Sequence, residues 1–187
     1  MRVISGTARG TKLNSIDELT TRPTLDRVKE SLFNIINSKI DDSIVLDLFS
    51  GSGAIGIEFL SRGCRTAYLC DNSNKAINMI RQNLEKTRLQ ENAEVVNKDY
   101  KRCLQDLANK NIKFDIIFID PPYKDNIAVD SVQMILSLEL LKKDGIIVIE
   151  TDEKDREIDN LKKLDIQVYD IRKYGRANLI FLNCERG

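Results

Sequence analysis

The chain has 187 residues, 42% hydrophobic and 31% charged, with 29 basic and 29 acidic side chains and no histidine. This composition is globular, is long enough for a core of its own, and lacks the apolar run of about 18 residues that a membrane-spanning helix needs. The absence of imidazole excludes Ser-His-Asp and Cys-His catalysis, and the four cysteines (Cys64, Cys70, Cys103, Cys184) form no C-x-x-C pair, so no metal is expected.

The first 40 residues open with Arg2-Val3-Ile4-Ser5 and Thr11-Lys12-Leu13 around a glycine-bearing turn, which suggests a small hairpin. Thr21-Arg22-Pro23-Thr24 then leads into a helix with apolar Val28, Leu32, Phe33, Ile35 and Ile36. From residue 43 short apolar runs alternate with amphipathic stretches. Strands are predicted at 44–48, 66–70, 93–96, 114–119 and 146–150, and helices at 54–61, 73–87, 100–109 and 128–141, the last closed by Lys142-Lys143 and Gly145. Strands apolar on both faces and alternating with helices predict a parallel sheet covered on both sides. The ending differs: strands at 166–172 and 177–182 are separated by only Lys173-Tyr174-Gly175-Arg176, too short for a parallel crossover, so they pair as an antiparallel hairpin. The expected fold is α/β, with a Rossmann-like, mostly parallel seven-stranded sheet, helices on both faces, a terminal antiparallel hairpin and a small N-terminal hairpin-plus-helix extension.

Gly51-Ser52-Gly53-Ala54-Ile55-Gly56 reads G-x-G-x-x-G after a strand and before a helix, with Asp71 ending the next strand. That alone permits a dinucleotide site and a nicotinamide-dependent oxidoreductase. Asp47 shifts the balance, because a carboxylate four residues ahead of Gly51 disfavours a pyrophosphate and suits a cationic cofactor such as S-adenosylmethionine. Asp47 can equally cap the loop through backbone N–H groups. Asp71 would hold a ribose. Asp99 would bond an adenine amino group or simply cap the helix that starts at Tyr100. With Phe49, Ser52 and Asn72, these residues are the candidate cofactor set.

Asp120-Pro121-Pro122-Tyr123 follows the fourth strand, where open parallel sheets bind their ligands. An exocyclic base amine is a weak nucleophile whose lone pair is drawn into the ring. Its N–H groups can donate to the Asp120 carboxylate and the Pro121 carbonyl, turning the nitrogen towards a methyl donor. Two prolines stiffen the loop, and Tyr123 can stack on the base. Positioning and electrostatics then supply the catalysis without an imidazole base.

These motifs, with Arg2-Val3-Ile4-Ser5-Gly6, Arg9-Gly10-Thr11-Lys12-Leu13, the run from Thr21 to Asn34 and Lys173-Tyr174-Gly175, resemble the bacterial small-subunit (16S) ribosomal RNA (guanine-N2) methyltransferases over nearly the whole chain. Ser50 and Asp71 stand where Ala and Glu are more usual. The resemblance implies a guanine of small-subunit rRNA as substrate, within an assembled or assembling subunit, and residues 1–40 as an RNA-facing extension of a 41–187 methyltransferase domain. The net charge of zero argues weakly against a nucleic-acid partner, yet residues 1–40 and 172–187 carry +3 each against −6 for 41–171. Arg9, Lys12, Arg22 and Arg27 are candidate phosphate contacts, and Thr21, Arg22 and Thr24 can line the entry; the plainer alternative is a packed extension with solvated charges. An adenine-N6 methyltransferase acting on DNA or RNA remains the nearest rival, since the amine clamp serves either base, and a non-catalytic RNA-binding module is the third. The N-terminus lacks a signal-peptide core, so a cytoplasmic location is expected.

Overall fold

The computed structural model describes residues 1–15, 23–122, 126–164 and 166–184, with side chains 23–25 outside the description. Seven strands form one sheet in the order β3-β2-β1-β4-β5-β7-β6. They are β1 (Ile44–Asp47), β2 (Thr66–Asp71), β3 (Ala93–Asn97), β4 (Phe114–Ile119), β5 (Leu141–Thr151), β6 (Gln167–Tyr174) and β7 (Ala177–Asn183). β1 to β5 are parallel, while β7 runs antiparallel to both β5 and β6. The chain builds outward from β1 through β2 to β3, then returns to the other side of β1 with β4. The strand order therefore reverses between β1 and β4, where a crevice opens at their carboxyl ends.

Side-chain alternation divides the core by face. Val45, Leu69, Ile116, Phe118, Ile146, Val148 and Phe181 pack beneath α1 (Pro23–Ile35), α2 (Ala54–Ser61) and α3 (Asn74–Thr87). Leu46, Ile117, Ile119, Ile147, Ile149 and Ile180 pack beneath α4 (Tyr100–Asn109), α5 (Ile127–Ser137) and α6 (Lys154–Leu161). Among the described residues no helix is long and apolar enough to cross a membrane.

Four regions differ from the sequence reading. The helix expected at 128–141 stops at Ser137, because Glu139 turns left-handed (φ 52°) and β5 starts at Leu141. Phe114 faces Leu141 and Ile116 faces Ile146, so residues 142–145 bulge out of the strand. Helix α6 has no counterpart among the expected elements; it is eight residues of mostly charged sequence that bury only Glu157 and Leu161. The N-terminal hairpin is reduced to one antiparallel bridge, Arg2 with Lys12, supported by Val3 N–H donating to Thr11 O (3.0 Å) and Gly10 N–H to Val3 O (2.8 Å). The C-terminal hairpin runs longer than expected, with a turn of only Gly175-Arg176 between Tyr174 and Ala177.

A buried charge cluster fixes the N-terminal segment to the sheet domain. Glu58 on α2 is fully buried. Its Oε2 accepts from Ile4 N–H (2.8 Å) and pairs with Lys29 Nζ of α1 (3.0 Å). Its Oε1 accepts from Ser5 N–H (2.9 Å) and from Arg62 Nε (2.8 Å). Lys29 also donates to Arg2 O (2.6 Å). Two backbone amides and two cations thus satisfy one carboxylate, the condition under which a charge tolerates burial. Two residues on from Lys29 in α1, Ser31 hydrogen-bonds Tyr174 of the terminal hairpin. Asn83, also fully buried, accepts from Asn14 N–H (2.8 Å) and donates to Asn14 O (3.0 Å) and Ser52 O (2.9 Å). It joins the end of the N-terminal segment directly to the glycine loop.

Candidate active site

The glycine loop starts where β1 ends. Ser50 N–H donates to Cys70 O of β2 (2.9 Å), and Gly53, which caps α2, is left-handed at φ 81°. That conformation carries a steric penalty for residues with a Cβ. Gly56 matters for packing instead. A Cβ there would lie 2.6 Å from Leu69 Cδ2, so glycine lets α2 rest on β2. Asp47 Oδ2 accepts from Gly56 N–H (3.0 Å), the loop-capping bond that the sequence allowed as an alternative to contact with a cation. Asp71 braces the same loop from β2, with Oδ2 accepting from Gly51 N–H (2.9 Å) and Oδ1 from Ser73 N–H (2.9 Å). Asp99 caps α4, its Oδ1 accepting from Lys101 and Arg102 N–H (3.0 and 3.2 Å). The capping alternatives at positions 47 and 99 are therefore both realised, and neither excludes a ligand contact. Tyr100, next in the chain, sets its ring 5.6 Å from that of Phe49.

Asp47, Phe49, Ser50, Gly51 and Ser52 share one cavity of about 260 Å³ with Asp120. The two motifs, far apart in sequence, thus face each other across the β1–β4 crevice. Ala54, Ile55 and Phe118 add apolar lining. The remaining walls come from Met1, Val28, Lys29 and Leu32, all in the N-terminal segment, and from Glu150 near the end of β5. None of these five was among the sequence-derived site residues. Val28 and Leu32 were legible only as apolar helix positions, and Glu150 only as a strand ending. A cavity of about 300 Å³ lies towards the opposite ends of the strands, near Leu141 and Cys184, away from both motifs.

Three carboxylates face this cavity from neighbouring strands. Phe118 lies beside Asp47 in the β1–β4 register, and Ile119 beside Ile149 in the β4–β5 register, so Asp120 and Glu150 come next at matching height. Asp47 shares the face of Val45, Asp120 that of Phe118, and Glu150 that of Val148. Burial pushes the Asp47 carboxyl up to about 7, against the hydrogen bonds from Gly56 and Ser50. Burial, then the charges of Glu150 and Asp47, hold Asp120 well above the usual carboxylate range. Burial raises Glu150 to about 6. Among the described residues Lys29 is the sole basic one in the cavity walls, and its ammonium is already committed to Glu58 and Arg2 O. Three carboxylates thus face the cavity against a single, already paired basic side chain. A ligand carrying positive charge fits it, whereas a phosphate would worsen the repulsion. Among the described residues no group of three His, Cys, Asp or Glu side chains is placed to hold a metal ion.

Arg9, Lys12, Arg27 and Asn72 are not among the residues that line the cavity. Gly53 is buried behind the loop. Pro121 and Pro122 lead out from Asp120 towards the surface. Thr21, Arg22 and Tyr123 lie outside the described residues, as does the side chain of Thr24, whose backbone belongs to α1.

A family described as "Conserved hypothetical protein 95" matches residues 1–183. The chain is 42% identical over 152 residues to "Putative rRNA methyltransferase YlbH" of Bacillus subtilis, covering 81% of this chain and 83% of that protein. It is 36% identical over 157 residues to "Ribosomal RNA small subunit methyltransferase D" of Haemophilus influenzae, covering 83% and 80%. Among solved structures it is similar to a putative methyltransferase, yhhF, from Escherichia coli, with a TM-score of 0.81, 27% identity, and 97% and 96% of the two chains covered.

Proposed function

This chain belongs to the family described as conserved hypothetical protein 95, and from that premise we propose that it is an S-adenosylmethionine-dependent rRNA methyltransferase acting on the exocyclic N2 amine of a guanine in the small-subunit RNA. One observation carries the reading: the acid of the amine-clamp motif, Asp120, and the acid of the cofactor loop, Asp47, line a single cavity in which Lys29, the one Lys or Arg of the described walls, is already paired with Glu58. S-adenosylmethionine brings an ammonium, a sulfonium and a transferable methyl group. Asp47 and the Gly51–Gly53 loop would hold its amino-acid end. Asp71 and Asn72 would hold the ribose, and Asp99, Phe49 and Tyr100 the adenine. The second carboxylate oxygen of Asp99 accepts no bond among the described residues, so capping leaves it available.

The reactive amine donates one N–H to Asp120 and one to the Pro121 carbonyl, which fixes the nitrogen in front of the methyl group. Tyr123 stacks on the base. Transfer would break the sulfonium–methyl bond, its electron pair staying on sulfur, as the nitrogen–carbon bond forms, and the amine must lose one proton. Asp120 is the adjacent acceptor, and its raised affinity for protons favours the transfer. The target guanine is unpaired or flipped to enter a cavity walled by the sheet on one side and α1 on the other. Arg9, Lys12, Arg22 and Arg27 would meet phosphates, and Thr21 and Thr24 the entering strand, with residues 1–40 as the RNA-facing extension. The protein acts in the cytoplasm on an assembled or assembling subunit.

A tritiated methyl-transfer assay on small subunits, naked rRNA and DNA tests this proposal. Label is expected in N2-methylguanosine of small-subunit RNA. Label in N6-methyladenine would replace guanine by adenine as the substrate.

A further inference from the structure

The amine clamp alone does not distinguish the two bases, since adenine N6 and guanine N2 are both exocyclic amines. The bases differ one atom away. Beside its amine, guanine presents N1–H, a donor, whereas adenine presents N1, a lone-pair acceptor. A second carboxylate next to Asp120 would accept from guanine and repel adenine.

The structure contains such a group. β4 and β5 run parallel with Ile119 opposite Ile149, so Asp120 and Glu150 stand at the same level of adjacent strands and on the same face of the sheet. Both line the 260 Å³ cavity. Among the described residues no hydrogen bond or ion pair engages the Glu150 carboxylate, in contrast to Glu58, Asp71 and Asp99. Position 150 pairs with Leu179 of β7 and directly follows Ile149, which pairs with Ile119 of β4, so the carboxylate is mounted on a strand rather than on a loop. Burial leaves its carboxyl at about 6, and it is therefore an ionised acceptor at neutral pH.

We infer that Glu150 is a specificity-determining residue that accepts the guanine N1–H while Asp120 and Pro121 hold the N2 amine. The inference rests on the guanine-N2 reading above and explains how the site chooses that base. Adenine would leave Glu150 facing a lone pair, an uncompensated carboxylate in a confined site.

The base 2-aminopurine keeps the amine at C2 but has no hydrogen on N1; it also lacks O6, so the part of the guanine preference that depends on Glu150 reports this contact. The wild-type protein first labels small subunits with tritiated donor, and nucleoside digestion locates the labelled base. Subunits rebuilt with 2-aminopurine at that one position are then compared with the guanine form. The expected kcat/KM favours guanine by about 100-fold or more, as for sites that hydrogen-bond a substrate N–H. Glu150→Gln, whose amide can donate to N1 of 2-aminopurine, should narrow that ratio by about tenfold or more while S-adenosylhomocysteine affinity stays within about twofold. Wild-type indifference to the replacement would overturn the inference without recourse to any variant. An unchanged ratio in Glu150→Gln, with weakened cofactor affinity, would overturn it too and make Glu150 a counter-charge to the cofactor. Label recovered in adenine would overturn the guanine-N2 reading itself, whereas label in guanine with an unchanged ratio removes only the role of Glu150.

Discussion

Asp47→Asn tests the electrostatic fit of the cavity to a cationic cofactor. In the free protein the Asp47 carboxyl sits at about 7, so at pH 7 it carries about half a proton. A bound ammonium would stabilise the ionised form, and that half proton would leave on binding. If the complex holds Asp47 fully ionised, affinity should rise about tenfold between pH 6 and pH 8 through this group alone. Calorimetry with S-adenosylhomocysteine, which keeps the ammonium, measures the release directly when titrations at one pH are repeated in buffers of different ionisation enthalpy. Asp120 and Glu150 add to the total, so the decisive quantity is the difference between wild type and Asp47→Asn, expected to be about half a proton at pH 7. Stability supplies a second reading. A carboxyl raised in the folded state contributes stability that is fully present below its unfolded value of 3.8 and is lost as pH rises through about 7. The shift corresponds to on the order of 4 kcal/mol. Through this group the ligand-free protein should therefore weaken from pH 4 to pH 8, and Asp47→Asn, which keeps the contributions of Asp120 and Glu150, should weaken less by about the Asp47 share, since the Asn carbonyl can still accept from Gly56. Equal proton release in the two proteins, or parallel stability–pH curves, would refute the reasoning.

Asp120→Ala should lower methyl transfer by about 10²-fold or more, the scale for removing one preorganised hydrogen-bonding group, while S-adenosylhomocysteine affinity changes less than about threefold. Glu58→Ala leaves Lys29, Arg62 and two backbone amides without their shared acceptor; about 3–5 kcal/mol of stability should be lost, read as a fall in denaturant midpoint and earlier proteolysis of the N-terminal segment. Gly6→Ala would place a Cβ 1.7 Å from Ser61 O at a left-handed φ of 82°, so the turn must lift from α2. Methylation of RNA should then fall more than cofactor affinity, as kinetics and calorimetry on the same preparation would show.

The strand–helix alternation, the glycine loop and the Pro-Pro motif were all readable because each has a local pattern: short continuous apolar runs between amphipathic stretches, glycines between strand and helix, two prolines after an acid. The two regions read least well lacked such a pattern. Residues 138–145 combine a left-handed Glu139 with a strand bulge, and neither the positive φ of a non-glycine residue nor a bulge has a strong sequence mark. Helix α6 buries too few apolar side chains to show a clear stripe. The site divided in the same way. Asp47 and Asp120 were marked by their sequence neighbours. Glu150 was not, because its importance comes from the β4–β5 register, a relation between segments some thirty residues apart. Likewise Met1, Val28, Lys29 and Leu32 reach the cavity only because Glu58 ties the N-terminal segment down onto α2. The basic residues Arg9, Lys12 and Arg27 stay outside the cavity.

If this protein, as proposed, places one methyl group on the N2 amine of a guanine in small-subunit rRNA, its absence leaves that guanine unmethylated. Mass spectrometry of nucleosides from the rRNA of cells lacking the protein tests this proposal most directly. The predicted result is the loss of one N2-methylguanosine from the small-subunit RNA, restored by the wild-type gene and not by Asp120→Ala. An unchanged N2-methylguanosine content, or loss of an N6-methyladenosine in its place, would contradict the account.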